Sequence, residues 1–381
     1  MRIGFDAKRA FLNRTGLGNY SRGVIDLALI SSSVKSIVLF TPNNSKPLLS
    51  ETCLQNGRVE TVTPPWYFLG PFKSMWRTDF VTGQFAKHRL DLYHGLSNEL
   101  PNGIEKSGVA SVVTIHDLIF LHYPKYYKSI DRKIYDFKVR HACEMATRII
   151  ATSQQTANDI VSKIGIDRSK ISVVYQGCDQ RFQSSVSKEE LNRVSVKLQL
   201  PVRYILCVGT IEERKNAKVI VGSLNELKDS EIKLVLLGRK TRYAEELIAQ
   251  ASELGLDKRL TILSGVDTAD LPAVYQQAEL FVLPSLMEGF GIPVLEAMTS
   301  GVPVIVSANS CLSEVCGDAG IQIDPTNPTD IATAIDKVIG NHEMKANMIR
   351  LGKIRAKHFD KETIEKEVIR VYELARTEYL K

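Results

Sequence analysis

Thirteen short runs of apolar and β-branched residues recur along the chain, separated by longer segments of helical period. In the first half they fall at residues 2–5, 36–40, 59–62, 91–93, 112–116, 148–151 and 171–175. In the second half they fall at 204–208, 232–237, 260–263, 280–283, 303–306 and 320–323. The runs show little polar alternation, the pattern of strands buried on both faces, which belong in parallel sheets covered by helices. Between them, Ile331, Ala334, Ile335, Val338 and Ile339 make a single apolar stripe at i, i+3, i+4, i+7 and i+8, as one face of a helix does. The expected fold class is α/β, with each half a doubly wound, Rossmann-like domain. The join is expected within residues 177–187, where turn and polar residues follow a strand. Ligands of such sheets bind beyond the carboxyl ends of the strands, so two facing sheets imply an interdomain cleft.

Composition narrows the class. A chain of 381 residues is too long for one ordinary core, and 44% hydrophobic residues spread throughout exclude intrinsic disorder. No apolar run reaches the roughly 18 residues that cross a bilayer. The chain starts directly on a strand pattern, without the charged leader and apolar segment of a secretion signal, and its six cysteines lack C-x-x-C spacing. A cytoplasmic location is expected on both counts. Residues 1–182 carry 24 Lys and Arg against 15 Asp and Glu, a net +9, which leaves a net −3 for the remainder. The basic half suits an anionic substrate or membrane surface, or a plain solvated surface. No nucleic-acid module is visible.

Candidate chemistry sits in four places. The first βα turn carries Gly16 and Gly18, but Ser21 stands where a dinucleotide fingerprint needs a third glycine, so NAD is not expected. The two glycines suit a loop whose backbone approaches a phosphate, or a turn that needs positive φ. After the run at 204–208 come Gly209, Thr210, Glu212, Glu213, Arg214, Lys215 and Asn216, two adjacent cations where a doubly wound sheet binds anions. After the run at 280–283 come Glu288, Gly289, Phe290, Gly291, Ile292, Pro293 and Glu296. Pro293 fits the first turn of a helix, whose amino-terminal N–H groups at residues 289–292 suit a pyrophosphate or a sugar hydroxyl. Glu288 belongs to the loop and Glu296 to the helix, so the two are expected to touch different parts of one ligand. In the first half, His116 ends a strand beside Asp117, a place for a proton carrier or hydrogen-bond donor, with His94 as a rival of structural character. There is no G-x-x-x-x-G-K-S/T, H-E-x-x-H, G-x-S-x-G or D-x-D, which disfavours hydrolysis by a metal or a serine.

Together these segments resemble family 4 glycosyltransferases, retaining enzymes of the GT-B fold with two facing Rossmann-like domains. The likeness rests on the stretch from Gly209 through Asn216, the E-x7-E pattern from Glu288 to Glu296 with its Gly-Phe-Gly-Ile-Pro core, and Gly301, Val302 and Pro303. First-half segments around Gly16, Trp76, His94, His116, Ser153 and Asp179 match too. The resemblance implies an acceptor-binding domain over residues 1–182, a nucleotide-sugar-binding domain over 183–360, and a helix over 361–381 crossing back to the first. It implies that Glu296 holds the ribose, and that Glu288 with Gly289, Phe290, Gly291 and Ile292 holds the donor sugar. Lys215 and Arg214, assisted by Gly16 and Gly18, would neutralise the leaving diphosphate, with His116 beside the transferred sugar. No metal and no cofactor are implied beyond a GDP- or UDP-linked donor substrate.

The implied activity is transfer of a hexose, with mannose from GDP-mannose as the specific expectation, to a polysaccharide, O-antigen or lipid-linked glycan. A GT-B epimerase or phosphorylase and a non-catalytic nucleotide-binding subunit are the alternatives. Two departures stand out: Thr210 replaces an expected cation, and the domain joint reads Gln176, Gly177, Cys178, Asp179 in place of Asn-Gly-Val-Asp. A last segment, residues 64–89, mixes aromatics with cations such as Lys73, Arg77, Lys87 and Arg89. It fits either peripheral contact with an anionic membrane or a helix burying Phe72, Met75, Trp76 and Phe80.

Overall fold

Each of the thirteen apolar runs is a strand in the computed structural model, which describes residues 1–381 apart from Lys46, Leu69 and Pro71. The first seven are β1 (Arg2–Asp6), β2 (Ser36–Phe40), β3 (Val59–Val62), β4 (Leu92–Gly95), β5 (Ala110–Ile115), β6 (Arg148–Ala151) and β7 (Ile171–Val173). They form one parallel sheet in the order β3-β2-β1-β4-β5-β6-β7. The other six are β8 (Tyr204–Val208), β9 (Lys233–Leu237), β10 (Leu260–Leu263), β11 (Leu280–Leu283), β12 (Val304–Ser307) and β13 (Gly320–Ile323), in the order β10-β9-β8-β11-β12-β13. In both sheets the order in which strands are added reverses beside the first strand, between β1 and β4 and between β8 and β11. Such reversal points leave a crevice at the strand ends, because the crossover helices leave in opposite directions.

The chain divides into two compact units, Met1–Gly177 with Lys361–Lys381, and Cys178–Asp360. In the first unit, one face of the sheet packs Ile3, Phe5 and Leu39 against Val24, Ile25 and Ala28 of the helix Gly16–Ile30. The carboxy-terminal helix Lys361–Tyr379 covers the same face with Ile364, Val368, Val371, Tyr372 and Ala375, its one apolar stripe. The opposite face holds Val38, Phe40, Trp76, Phe85 and Val113 against Val139, Ala142 and Cys143 of the helix Ser129–Met145.

A buried polar chain ties the carboxy-terminal helix to the sheet. His94 Nδ1 meets Tyr372 Oη at 2.8 Å and its Nε2 meets Thr114 Oγ1 at 2.9 Å, while Tyr20 Oη meets Thr114 Oγ1 at 2.8 Å. Burial first, then the neighbouring His116, pushes the His94 imidazole down to about 3, so it is neutral and structural. Tyr372→Phe leaves this buried nitrogen without its partner and should cost about 1–3 kcal/mol, read as a lower melting temperature. A shift within error would show that the bond contributes nothing.

The buried stripe weighed for Phe72, Met75, Trp76 and Phe80 does not form. Trp76 is buried, whereas Phe72, Met75 and Phe80 are exposed. A single turn, Phe72–Met75, runs on into the wider turn Trp76–Phe80, and the change of pitch breaks the 3.6-residue phase on which a stripe depends. Arg77, expected among the surface cations, is buried instead in ion pairs with Asp6 and Glu99. Leu69 and Pro71 of the same segment lie outside the described residues.

Candidate functional site

The loops that follow β8 and β11 leave the second sheet side by side, because those strands are hydrogen-bonded neighbours. The first loop begins at Gly209, whose φ of +147° no side chain tolerates well. An added Cβ there would also meet Lys215 Cε at 3.0 Å, because the lysine folds back over the glycine. Gly238, at the end of β9, is small for a related reason: a Cβ would overlap the Gly209 carbonyl. Asn216, at φ +58°, ends the loop and donates its amide to the Pro284 and Pro325 carbonyls, at 3.2 and 2.6 Å. The Leu286 N–H closes the pair of loops on the Arg214 carbonyl at 3.0 Å.

This frame brings Arg214, Lys215 and Glu288 into contact. Lys215 Nζ lies 2.5 Å from Glu288 Oε1, and Arg214 Nη1 lies 3.1 Å from Glu288 Oε2. Arg214 also donates to the Met287 carbonyl and to Glu212 Oε1, at 2.5 and 2.6 Å. Two cations therefore face two carboxylates. Burial acts to raise the Glu288 pKa, but the Lys215 and Arg214 charges outweigh it and hold the group down at about 2. Glu288 is only 9% exposed and is ionised across the physiological range.

Glu288 then leads into the turn ahead of the helix Ile292–Thr299. Gly291, at φ +112°, caps that helix and packs so closely on Leu312 that a Cβ would clash. Pro293 stands in the first turn. The Cys311 thiol donates to the carbonyls of Glu288 and Phe290 at 3.0 and 3.3 Å and fixes the turn from below. Gly289 and Phe290 are themselves engaged within the chain.

Glu296 lies one turn into the helix and in a separate environment, as its position relative to Glu288 led us to expect. Its Oε2 accepts a 2.7 Å hydrogen bond from the buried Tyr275 hydroxyl. Burial raises the carboxyl to about 7, the Tyr275 bond opposes the shift, Asp179 adds to it, and Arg181 reduces it. The side chain as a whole is half-buried, and solvent access of that kind opposes the shift that burial produces. Tyr275, Arg181 and Cys311 were not legible as site residues, because each arrives from another stretch of chain, and Asp179 was read only as part of the domain joint.

In the first unit, His116 follows β5 directly and is buried. Its backbone N–H donates to Asn98 Oδ1 at 2.8 Å, and its Nε2 lies 2.9 Å from the Leu96 carbonyl. A carbonyl only accepts, so Nε2 carries the proton. Burial lowers the imidazole to about 4 against the help of that bond, with Arg9 lowering it further. The ring is thus neutral at pH 7, with its Nε2 proton committed to Leu96 and its Nδ1 left as an acceptor. Tyr20 stands edge-on to the ring, 4.6 Å between centroids. It belongs to the helix that begins with Gly16 and Gly18, which places those glycines on the same side of the sheet-end region as His116. Gly18 has a packing reason of its own: a Cβ would overlap the Asn13 carbonyl, whereas Gly16 has open space around it. Among the described residues no group of His, Cys, Asp and Glu is arranged to hold a metal ion.

Comparison with known proteins agrees across both units. Residues 188–355 match the family model for glycosyl transferases group 1, and residues 34–182 match that for glycosyltransferase family 4. The chain is 30% identical over 289 residues to O-antigen chain mannosyltransferase B of Escherichia coli, covering 74% of each. It is 28% identical over 226 residues to an O-antigen chain mannosyltransferase of Salmonella typhimurium, 59% of this chain and 60% of that one. In structure it is similar to an Anabaena protein in complex with UDP and glucose, with a TM-score of 0.74, 19% identity, and 97% and 98% of the two chains covered. It is also similar to sucrose-phosphate synthase from Thermosynechococcus elongatus, with a TM-score of 0.76, 19% identity and 98% of each chain covered. The fold class is GT-B.

Proposed function

The chain belongs to the family 4 (group 1) glycosyltransferases, and on that premise we propose that it moves mannose from GDP-mannose, with retention of configuration, to a growing polysaccharide, O-antigen or lipid-linked glycan. The observation that carries this reading is the Arg214, Lys215 and Glu288 cluster at the reversal point between β8 and β11, with Glu296 eight residues on. The mannosyl preference and the glycan acceptor are supported by the relatives in Escherichia coli and Salmonella, which are O-antigen chain mannosyltransferases. In this reading the unit Cys178–Asp360 binds the nucleotide-sugar and the unit containing His116 binds the acceptor.

As the diphosphate leaves, the sugar develops oxocarbenium character and the leaving oxygens gain charge. Once the donor is bound, the cations and helix N–H groups that already face the diphosphate stabilise that charge, which is usually the largest catalytic term. Lys215, Arg214 and the turn of Gly289, Phe290, Gly291 and Ile292 are assigned this work, with Gly16 and Gly18 assisting. Glu288 accepts from the sugar hydroxyls, Glu296 accepts from the ribose, and His116 accepts a sugar hydroxyl at Nδ1. No cofactor beyond the donor takes part in this scheme.

Thermal stabilisation by GDP, UDP, dTDP and NAD tests the reading, since binding to the native state raises the melting temperature. A selective shift with GDP, followed by acceptor-dependent consumption of GDP-mannose, is the expected result; donor consumption without an acceptor would overturn the transferase assignment. Glu296→Ala should weaken nucleotide binding by about 1.5–3 kcal/mol. Because burial holds Glu296 up at about 7, wild-type nucleotide affinity should fall as the pH drops through that value, and Glu296→Gln should flatten the dependence. The stability linkage has the opposite sense. A carboxyl raised in the folded state contributes most while protonated, below its unfolded value of 4.5, and that contribution is lost as the pH rises through about 7.

The reading includes a cytoplasmic enzyme at the inner face of a membrane. Among the described residues no helix is long and apolar enough to cross a bilayer. The helix Ser129–Met145 nevertheless has two apolar sides. Val139, Ala142 and Cys143 face the core, while Ile130 and Phe137, 68% and 69% exposed, and Ile134 form a second stripe at i, i+4 and i+7. Lys133 and Lys138 flank it. The stripe borders a shallow groove with Thr78 and Asn102, and Asn102 is bonded to Asp79 beside the exposed Phe80. Exposed apolar surface rimmed by cations suits an anionic bilayer. Ile134→Ser with Phe137→Ser should abolish co-sedimentation with phosphatidylglycerol vesicles. Wild-type protein that stays in the supernatant would end this part of the reading.

A further inference from the structure

The cations assigned to the diphosphate are not waiting for it. Both oxygens of Glu288 are held by them, Oε1 by Lys215 at 2.5 Å and Oε2 by Arg214 at 3.1 Å. Arg214 is further held by Glu212 at 2.6 Å, so the two cations and two carboxylates form a cluster without net charge. A diphosphate arriving at Lys215 therefore meets a buried carboxylate at contact distance and competes with it for the cation. Displacement leaves Glu288 buried without its partner, which is costly unless a hydrogen-bond donor replaces the cation. The hydroxyls of a donor sugar are such donors. A nucleoside diphosphate alone has no group at that place to donate.

We propose that Glu288 is an internal competitor for the diphosphate site: it yields Lys215 and Arg214 to a nucleotide-sugar, whose hydroxyls it then accepts, and reclaims them after transfer, driving out the nucleoside diphosphate product. The inference rests on the donor-site reading above and adds to it a discrimination between substrate and product. No bond is made or broken in the exchange; the carboxylate changes partners, from two cations to sugar hydroxyls and back. It accounts for why a residue assigned to sugar recognition is the direct partner of the residues assigned to phosphate. A sugar-binding glutamate with no second duty would not need to sit in an ion pair when the sugar is absent.

The test is calorimetric titration of wild type, Glu288→Gln and Glu288→Asp with GDP, GDP-mannose, UDP and UDP-glucose. Glutamine keeps the shape of the side chain and removes the charge, so the matching nucleoside diphosphate should bind at least tenfold tighter than to wild type, about 1.4 kcal/mol. The nucleotide-sugar should gain much less, because it loses the carboxylate that accepts its hydroxyls. Aspartate keeps the charge at shorter reach and should fall between the two, which holds the test open if the glutamine variant folds poorly. Lys215→Met in the Glu288→Gln background should cancel the gain, assigning it to the freed cation. Diphosphate affinity that is unchanged or weaker in a folded Glu288→Gln protein would overturn the proposal while leaving the donor-site reading in place. No binding of any of the four ligands to wild type or variants would overturn both.

Discussion

Lys215→Met is expected to lower the transfer rate by roughly 10²–10³-fold, the usual loss when one preorganised charge stabiliser is removed from a transition state. The charge it meets develops as the diphosphate leaves, so kcat should fall far more than KM rises. Arg214 remains, but it is shared with the Met287 carbonyl and Glu212, so it compensates only in part. Methionine preserves the stem that packs over Gly209, and Glu288 keeps one cation, so folding is not the expected cause of the loss. Initial rates of donor consumption, alongside a melting curve, decide the matter. A kcat within threefold of wild type would remove Lys215 from the chemistry.

Arg77→Met should destabilise the unit Met1–Gly177 with its carboxy-terminal helix by about 3–5 kcal/mol, the range for breaking a buried ion pair from one side. Arg77 joins Asp6, at the end of β1, to Glu99, which follows β4, and Glu99 is also held by Lys138 at 3.0 Å. Removing the guanidinium takes from the buried Asp6 side chain its ion-pair partner and leaves the Lys8 N–H donating to it at 3.2 Å. The same network predicts acid sensitivity. Burial works to raise the Glu99 pKa, but Arg77 and then Lys138 overcome it and hold the carboxyl down at about 2. Its contribution is complete above the unfolded value of 4.5 and is lost as the pH falls towards 2. Urea unfolding at pH 7 and pH 3 measures both effects. A loss below 1 kcal/mol at pH 7 would show that the network does not hold the strand ends together.

The fold was largely legible because its signals are local. A strand buried on both faces must be apolar along its length, and a helix on the sheet must repeat its apolar residues every 3.6 positions, so thirteen strands and the stripe from Ile331 to Ile339, all buried but the half-buried Ile339, could be read from spacing alone. The segment around Trp76 shows where that reading stops. Its aromatic spacing fits a helix, but the wide turn Trp76–Phe80 carries the side chains out of phase, and nothing in the spacing announces a change of pitch.

Within the site, the sequence by itself determined which residue types follow which strands: two cations after β8, and two glutamates astride a glycine turn after β11. It could not say that Arg214 and Lys215 already hold Glu288, that Tyr275 bonds Glu296, or that the His116 ring commits its proton to Leu96. Those facts were decided by the tertiary structure, because each joins segments separated by at least twenty residues. The adjacency of β8 and β11 brings two loops together, and burial then sets the charge states. Periodicity reports what one segment needs from its surroundings, whereas a pKa or an ion pair depends on which other segment supplies it.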